Sequence, residues 1–217
     1  MTPVQIKICG VTNVKDASAC AELGVNMIGF NFYPQSPRYI EPKIARRIIE
    51  TIPPGVCAVG VFVSASVEEI RNAGEAAGVP CVQLHGRTPA DTCSELAREF
   101  RVIRAFSIGP EFRPEEVSFF GDCDVLVDAH HPNLHGGTGL TCDWRAARTV
   151  ATFARFLILS GGLTERNVGQ AITTVAPHAV DVCSGLESAP GVKDHRAVAN
   201  FVTAVRTAKS SMNSFGS

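Results

Sequence analysis

Near its start the chain reads Val4-Gln5-Ile6-Lys7-Ile8-Cys9-Gly10, a short apolar run that ends in a thiol and a glycine. Similar runs ending in Gly, Asp, His or Cys recur along the 217 residues, and an amphipathic stretch follows each one. Short, nearly continuous apolar runs are typical of parallel strands buried on both faces. The alternation predicts a single-domain α/β fold, a (β/α)8 TIM barrel whose polar strand ends converge on one face. The predicted strands are Val4–Cys9, Met27–Phe32, Ala58–Val63, Cys81–Leu84, Val102–Phe106, Val125–Asp128, Phe156–Leu159 and Ala179–Val182.

Helix signals stand between these strands. Starts are predicted at Asn13, at Ser66 with Glu69 as its capping-box partner, at Thr88-Pro89 and at Thr164, and stops at Gly24 and Gly78. The fifth helix is the weakest, with only a short candidate near Glu115–Phe120. In the last helix Val198, Phe201, Val202 and Val205 form one core-facing stripe. The polar, Ser-rich segment 209–217 is predicted to be disordered, so the barrel is predicted to span residues 1–208.

The alternative architecture is an open doubly wound sheet. That fold needs no eighth strand and usually carries a G-x-G-x-x-G turn after its first strand. Here the first turn is Cys9-Gly10-Val11-Thr12, which contains a single glycine. The sequence therefore favours the closed barrel.

Charge and hydropathy indicate a small-molecule partner. Lys and Arg number 20 against 21 Asp and Glu, so no net field favours a nucleic acid or an anionic membrane. No apolar run approaches the roughly 20 residues of a membrane span, and Met1–Ile8 lacks the apolar core of a secretory signal. We expect a cytoplasmic protein, either a monomer or a homodimer.

The cysteines and histidines do not predict a disulfide framework or a metal site. None of the eight cysteines forms a C-x-x-C pair, so most are expected to be reduced, small core residues. His131 and His135 have the i, i+4 spacing of helical metal ligands, but Pro132 and Gly136-Gly137 make that stretch a loop. We expect no bound metal.

Glycines follow the last three predicted strands: Gly136-Gly137-Thr138-Gly139, Ser160-Gly161-Gly162 and Ser184-Gly185. Consecutive glycines let backbone N–H groups surround a dianion, and barrels often bind phosphate at the loops after strands seven and eight. A single such loop could be only a tight turn. The pair after strands seven and eight predicts a phosphate site at Gly161, Gly162, Ser184 and Gly185.

Cys9 and Asp128 are the candidates for proton transfer, because each stands at the C-terminal end of its strand, where side chains face the barrel mouth. Lys7 lies two residues before Cys9 on the same side of the strand, so its charge would favour a thiolate. Asp128 closes the apolar run Val125-Leu126-Val127, and desolvation there would raise its pKa toward the range of a general acid. The plainer alternatives are a buried small side chain and a loop cap.

Two further residues are candidates for substrate contact. Arg38 lies in the long loop after strand two, where it could also be a solvated surface arginine. His85 ends strand four, where it either donates a hydrogen bond into the mouth or serves a structural role.

Taken in order, these motifs resemble the phosphoribosylanthranilate isomerase family of tryptophan biosynthesis over nearly the whole chain. The motifs are Lys7-Ile8-Cys9-Gly10, Phe32-Tyr33-Pro34, Ser36-Pro37-Arg38-Tyr39, Gly60-Val61-Phe62, Gln83-Leu84-His85-Gly86, Asp128, Gly136-Gly137-Thr138-Gly139 with Asp143-Trp144, Ser160-Gly161-Gly162-Leu163 and Ser184-Gly185-Leu186-Glu187.

The resemblance implies a cofactor-free Amadori rearrangement of N-(5-phosphoribosyl)anthranilate. It implies that Cys9 takes the proton from C2 of the ribose, that Asp128 protonates the ring oxygen, and that Arg38 pairs with the anthranilate carboxylate. Two positions depart from the family pattern: Leu140 replaces a common lysine, and Cys183 replaces a serine before Ser184. Both departures concern binding more than chemistry.

Two other functions remain open. An indole-glycerol-phosphate synthase or another phosphosugar isomerase would share the phosphate glycines, but the synthase should carry a lysine and a glutamate at early strand ends. A non-enzymatic phosphosugar-binding protein would need no combination of Cys9 and Asp128. Fold alone does not choose among these functions, because barrels support many chemistries.

Overall fold

The computed structural model describes residues 3–129 and 142–213, with side chains to residue 208. Eight parallel strands close into one barrel in chain order, and β1 pairs with β8. The strands are β1 (Gln5–Cys9), β2 (Met27–Asn31), β3 (Cys57–Val63), β4 (Cys81–His85), β5 (Arg101–Ile108), β6 (Asp124–Ala129), β7 (Leu157–Leu159) and β8 (Ala179–Val182). The predicted single-domain (β/α)8 TIM barrel is confirmed, because an open sheet could not pair its first strand with its eighth.

The helices surround this barrel. They are α1 (Val14–Glu22), α2 (Pro42–Ile49), α3 (Val67–Ala77), α4 (Ala90–Leu96), α5 (Trp144–Val150), α6 (Val168–Val175) and α7 (His195–Asn213). A 3-10 helix, Pro114–Phe120, replaces an α-helix between β5 and β6, and only Val117 of it is buried. The predicted weakness of the fifth helix is thus confirmed. Beyond β8 lie a 3-10 turn, Ser184–Leu186, and a short antiparallel hairpin of β9 (Glu187–Ala189) and β10 (Val192–Lys193).

The local signals explain several helix ends. The Asn13 side chain accepts a hydrogen bond from the Asp16 N–H at 2.9 Å, as expected of an N-cap. Ser66 and Glu69 form the predicted capping box at the start of α3. Gly78 ends that helix with φ of 72°, a conformation that costs glycine little.

Three predicted helix boundaries were wrong. Thr164 does not begin α6, because the Asn167 side chain accepts the Thr164 N–H at 2.8 Å and holds a turn before the helix starts at Val168. Pro89 is the N-cap of α4, which begins at Ala90, one residue later than predicted. The backbone of α7 stays helical to Asn213 rather than ending at residue 208, since no Gly or Pro interrupts 209–213. The predicted disorder of 214–217 falls outside the described residues.

The core has two parts. The barrel interior holds a compact set of side chains: Met27, Val59, Cys81, Ile103, Ala105, Leu126, Ile158 and Ala179. A larger cluster fills the space between the strands and the helices, and the predicted α7 stripe is buried within it: Val198, Phe201, Val202 and Val205. This packing fixes the strand ends on which the site stands.

All eight cysteines have free thiols, and six of them are buried, as the sequence predicted. No helix in the part of the chain that the structure describes is long and apolar enough to cross a membrane.

Candidate active site

The carboxyl ends of the strands surround a cavity of about 300 Å³. Cys9 from β1, His85 from β4 and Asp128 from β6 all line it, and so does Arg38 from the loop after β2. On the shorter way round the barrel β7 and β8 separate the strands of Cys9 and Asp128, so the two side chains face one space from non-adjacent strands. All four residues predicted at the mouth are therefore in one cavity.

Cys9 is the last residue of β1 and is 8% exposed. It pairs in register with Gly29 of β2, where an added Cβ would come within 2.8 Å of the Cys9 sulfur. The neighbouring Cys183 thiol and the charges of Lys7 and Lys193 outweigh burial and lower the pKa of Cys9 to about 7. The thiol is thus shifted toward the thiolate near neutral pH.

Lys7 is completely buried in the barrel and donates a hydrogen bond to Asp181 of β8 at 2.8 Å. Burial by itself would lower the pKa of Lys7, but the nearby Asp181 and Cys9 raise it overall. Lys7 therefore keeps its positive charge beneath Cys9. Asp181 also accepts a hydrogen bond from the Ser160 hydroxyl at 3.3 Å.

Asp128 lies near the end of β6 and accepts the Ala129 N–H at 2.8 Å. Burial and the negative charge of Asp181 raise the pKa of Asp128 to about 6. Gly161 packs close to it, because a Cβ there would lie 3.0 Å from Asp128 Oδ1. A carboxyl in this environment is partly protonated near neutral pH and can donate a proton.

Arg38 is not a solvated surface residue, which corrects one of the two alternatives for it. Its Nε and Nη2 groups bind the Glu187 carboxylate, with Nη2 2.7 Å from Oε2. Glu187 in turn accepts a hydrogen bond from the buried Lys193 ammonium at 2.8 Å. The Nη1 group makes no hydrogen bond to any described residue, so one edge of the guanidinium remains for an anion.

His85 and Gln83 project from β4 into the same mouth, and their Nε2 atoms lie 2.7 Å apart. The position of His85 fits both of its predicted roles, since the ring lines the cavity and also contacts a neighbouring side chain.

A second cavity of about 220 Å³ adjoins the first, and Asp128, Ser160, Asp181 and Cys183 line both. Its remaining walls include the four predicted phosphate ligands, Gly161, Gly162, Ser184 and Gly185. Gly161 and Gly162 have φ of 92° and 61°, which favour glycine. The backbone N–H groups of these four residues donate to no described residue, so they are available to an anion. The third glycine loop, Gly136–Gly139, lies outside the described residues, as do Leu140, His131 and His135.

The family model described as N-(5'phosphoribosyl)anthranilate (PRA) isomerase matches residues 6–204 of this chain. The N-(5'-phosphoribosyl)anthranilate isomerase of Thermotoga petrophila is 43% identical over 199 residues, which cover 92% of this chain and 97% of the relative. The chain belongs to this family. The prediction of an isomerase of this kind is confirmed.

Solved structures of the PRA isomerase family share the fold. The crystal structure of the Thermotoga maritima phosphoribosyl anthranilate isomerase matches with a TM-score of 0.88 and 40% identity, covering 94% of this chain and 99% of that one. A crystal structure of a phosphoribosyl anthranilate isomerase in complex with reduced 1-(o-carboxyphenylamino)-1-deoxyribulose 5-phosphate matches with a TM-score of 0.84 and 38% identity, with the same coverage.

Sequence reasoning missed three charged residues of this site: Asp181, Glu187 and Lys193. Asp181 carried a signal, since it is the one charged residue in the apolar strand Ala179–Val182. Glu187 and Lys193 carried little signal, because they stand on the unpredicted β9–β10 hairpin, where Lys193 binds Glu187 and Glu187 binds Arg38. The contact between Arg38 and Glu187 joins residues 149 apart in the chain, which no local pattern reveals.

Proposed function

We propose that this chain catalyses the Amadori rearrangement of N-(5'-phosphoribosyl)anthranilate to 1-(2-carboxyphenylamino)-1-deoxyribulose 5-phosphate, a step of tryptophan biosynthesis, by general acid–base catalysis without a cofactor. Membership in the PRA isomerase family supports this substrate, and so does the reduced product analogue held by a related structure.

One observation carries the proposal. A thiol and a carboxyl line the same cavity, and their pKa values are displaced in opposite directions to about 7 for Cys9 and about 6 for Asp128. Groups whose pKa values lie near the working pH are effective proton carriers. A protein that only bound a phosphosugar would gain nothing from such a pair.

In the proposed reaction the protonated Asp128 gives its proton to the ring oxygen of the ribose, and the furanose opens to a Schiff base. The Cys9 thiolate then removes the proton from C2. The electrons of that C–H bond move into a C1–C2 double bond and neutralise the Schiff base nitrogen. The resulting enolamine is a tautomer of the aminoketone product.

Substrate binding is proposed to use both cavities. The phosphate occupies the smaller cavity, held by the N–H groups of Gly161, Gly162, Ser184 and Gly185. The anthranilate carboxylate contacts the free edge of Arg38, and His85 contacts the ribose side of the mouth. Cys183 stands where the family has a serine, which removes a hydroxyl from this region, and the sequence has Leu140 in place of a common lysine; we expect both differences to affect affinity rather than rate.

Turnover of phosphoribosylanthranilate by the purified protein tests this proposal, followed as loss of the anthranilate-type fluorescence. The expected result is a loss that depends on Cys9 and Asp128. Saturable binding of the substrate without any fluorescence change would support a binding protein instead and overturn the proposal.

A further inference from the structure

Cys183 lies beside Cys9 at the end of the neighbouring strand. In the pairing of β1 with β8, Ile8 is opposite Val182, and Cys9 and Cys183 are the next residues along each chain. Neighbouring strands run about 4.8 Å apart, which falls within the Cα separation of about 4.4 to 6.8 Å that a disulfide spans. The register therefore places these two cysteines side by side at the ends of neighbouring strands.

The side chains also face the same way. Lys7 and Asp181, two residues earlier on each strand, are hydrogen-bonded at 2.8 Å, so Cys9 and Cys183 project from the same side of the sheet. The Cys183 sulfur lies against the end of β1, since an added Cβ on Gly10 would be 3.0 Å from it. Lys193 Nζ lies 3.9 Å from the same sulfur. Both cysteines line the 300 Å³ cavity, so a small polar oxidant can reach them.

We infer that Cys9 and Cys183 form an oxidation site, where a peroxide converts the two thiols into a disulfide. In the disulfide Cys9 can no longer act as the base of the reaction proposed above, so this inference rests on the proposed function. The Cys9 thiolate attacks one peroxide oxygen, the O–O bond breaks, and hydroxide leaves while the sulfur becomes a sulfenic acid. The Cys183 sulfur then attacks the Cys9 sulfur, and the hydroxyl leaves with the Cys183 proton as water. Two electrons pass from the thiols to the peroxide.

Two other thiol pairs in the chain show why this one is favoured. Cys57 and Cys81 also stand on neighbouring strands, but Cys81 pairs in register with Val59, so Cys57 is its diagonal neighbour. Diagonal neighbours are about 7 to 8 Å apart, at or beyond the limit for a disulfide. Cys93 and Cys123 are 1% and 2% exposed, so a solvent-borne oxidant reaches them poorly.

The first test is peptide mapping after treatment with hydrogen peroxide. Trypsin places Cys9 in the peptide 8–15 and Cys183 in the peptide 167–193, each with a single cysteine, whereas Cys57 and Cys81 fall in the peptides 48–71 and 72–87. We expect a disulfide between 8–15 and 167–193 that dithiothreitol removes. Oxidation of Cys9 to sulfinic acid without that cross-link, or a Cys57–Cys81 cross-link in its place, would overturn the inference.

The second test measures isomerase activity, with each variant normalised to its own untreated rate. Peroxide should reduce the activity of the unaltered chain and of Cys57→Ser by about 10²-fold or more, the usual contribution of a positioned base, and dithiothreitol should restore it. In Cys183→Ser the Cys9 sulfenic acid has no partner and proceeds to sulfinic acid, so dithiothreitol should not restore the rate. Equal recovery in Cys183→Ser and the unaltered chain would contradict the inference.

The cross-link does not depend on turnover, so its presence in a protein without isomerase activity would count against the proposed function alone.

Discussion

Lys7 and Asp181 form a buried ion pair, with Nζ 2.8 Å from Oδ1, in which Lys7 has the larger effect on Cys9 and Asp181 the larger effect on Asp128. For Cys9 the attraction of Lys7 exceeds the repulsion of Asp181, which contributes to its lowered pKa. For Asp128 the repulsion of Asp181 exceeds the attraction of Lys7, which contributes to its raised pKa. One ion pair therefore shifts two titratable groups in opposite directions.

Asp181→Asn should lower the stability of the fold and shift the pKa values of Cys9 and Asp128. It leaves the Lys7 ammonium buried without its partner, which we expect to cost about 3 to 5 kcal/mol of unfolding free energy. The double variant with Lys7→Met should recover much of that loss, because it removes the stranded charge. Urea denaturation measures both values. Glu50→Gln, which breaks an exposed ion pair with Arg46, is the control and should leave the midpoint essentially unchanged. An unchanged midpoint in Asp181→Asn would show that the buried pair contributes little.

Cys9→Ser and Asp128→Asn should each lower kcat by about 10² to 10⁴, the usual contribution of one positioned proton carrier. The serine hydroxyl is a much weaker acid than the thiol, and the asparagine amide has no transferable proton. Cys57→Ser is the matched control, since it changes a thiol at the opposite end of the barrel. Steady-state rates from the fluorescence assay check this. If either variant kept most of its activity, its proton-transfer role would belong to another group.

The sequence predicted those parts of the molecule that depend on local patterns. Buried parallel strands are short apolar runs, so all eight could be located, and Cys9 and Asp128 followed because a strand end in a barrel faces the mouth. The capping box of Ser66 and Glu69 is equally local, since it joins residues three apart.

What could not be predicted depends on contacts between distant segments. The environment of Arg38 is set by Glu187, and the environment of Cys9 by Cys183, each supplied by the far end of the chain. Thr164 was wrongly predicted as a helix start for a related reason. The Asn167 side chain accepts the Thr164 N–H and stabilises a turn at that position. Whether a helix begins at such a position depends on competing side-chain and backbone hydrogen bonds, and their relative strengths cannot be read from the sequence composition.

Arg38→Met should raise KM with a smaller effect on kcat, because a carboxylate contact made in both ground and transition states contributes to binding alone. Glu187→Gln should give a weaker form of the same change, since it leaves Arg38 present but less firmly held. Arg46→Met, which alters an exposed arginine of α2, serves as the control and should change neither constant. Should kcat collapse in Arg38→Met while KM stays constant, Arg38 would act at the reacting carbons instead.

The phosphate site should be more sensitive to glycine substitution than to loss of a hydroxyl. In Gly161→Ala the new Cβ would lie 2.7 Å from the Ala129 nitrogen at φ of 92°, so the loop must shift. We expect titration calorimetry with inorganic phosphate to show weaker binding, because the displaced N–H groups no longer converge on one anion. Ser184→Ala keeps its N–H and should have little effect. Gly169→Ala is the control, because its Cβ would make an ordinary 3.7 Å contact. Abolished binding in Ser184→Ala would make the hydroxyl the principal ligand.

The pH dependence of kcat/KM should be a narrow bell that rises through a pKa of about 6 and falls through one of about 7. The proposed reaction needs Cys9 as the thiolate and Asp128 protonated, yet the pKa of the base lies above that of the acid. Only a small minority of molecules then carry both forms at once, and the two limbs belong to the pair rather than to either residue. Asp128→Asn resolves the assignment, because its residual activity needs only the thiolate and should rise through about 7 without a falling limb. Cys57→Ser should retain the complete bell. A falling limb that persists in Asp128→Asn would identify a different group as the acid.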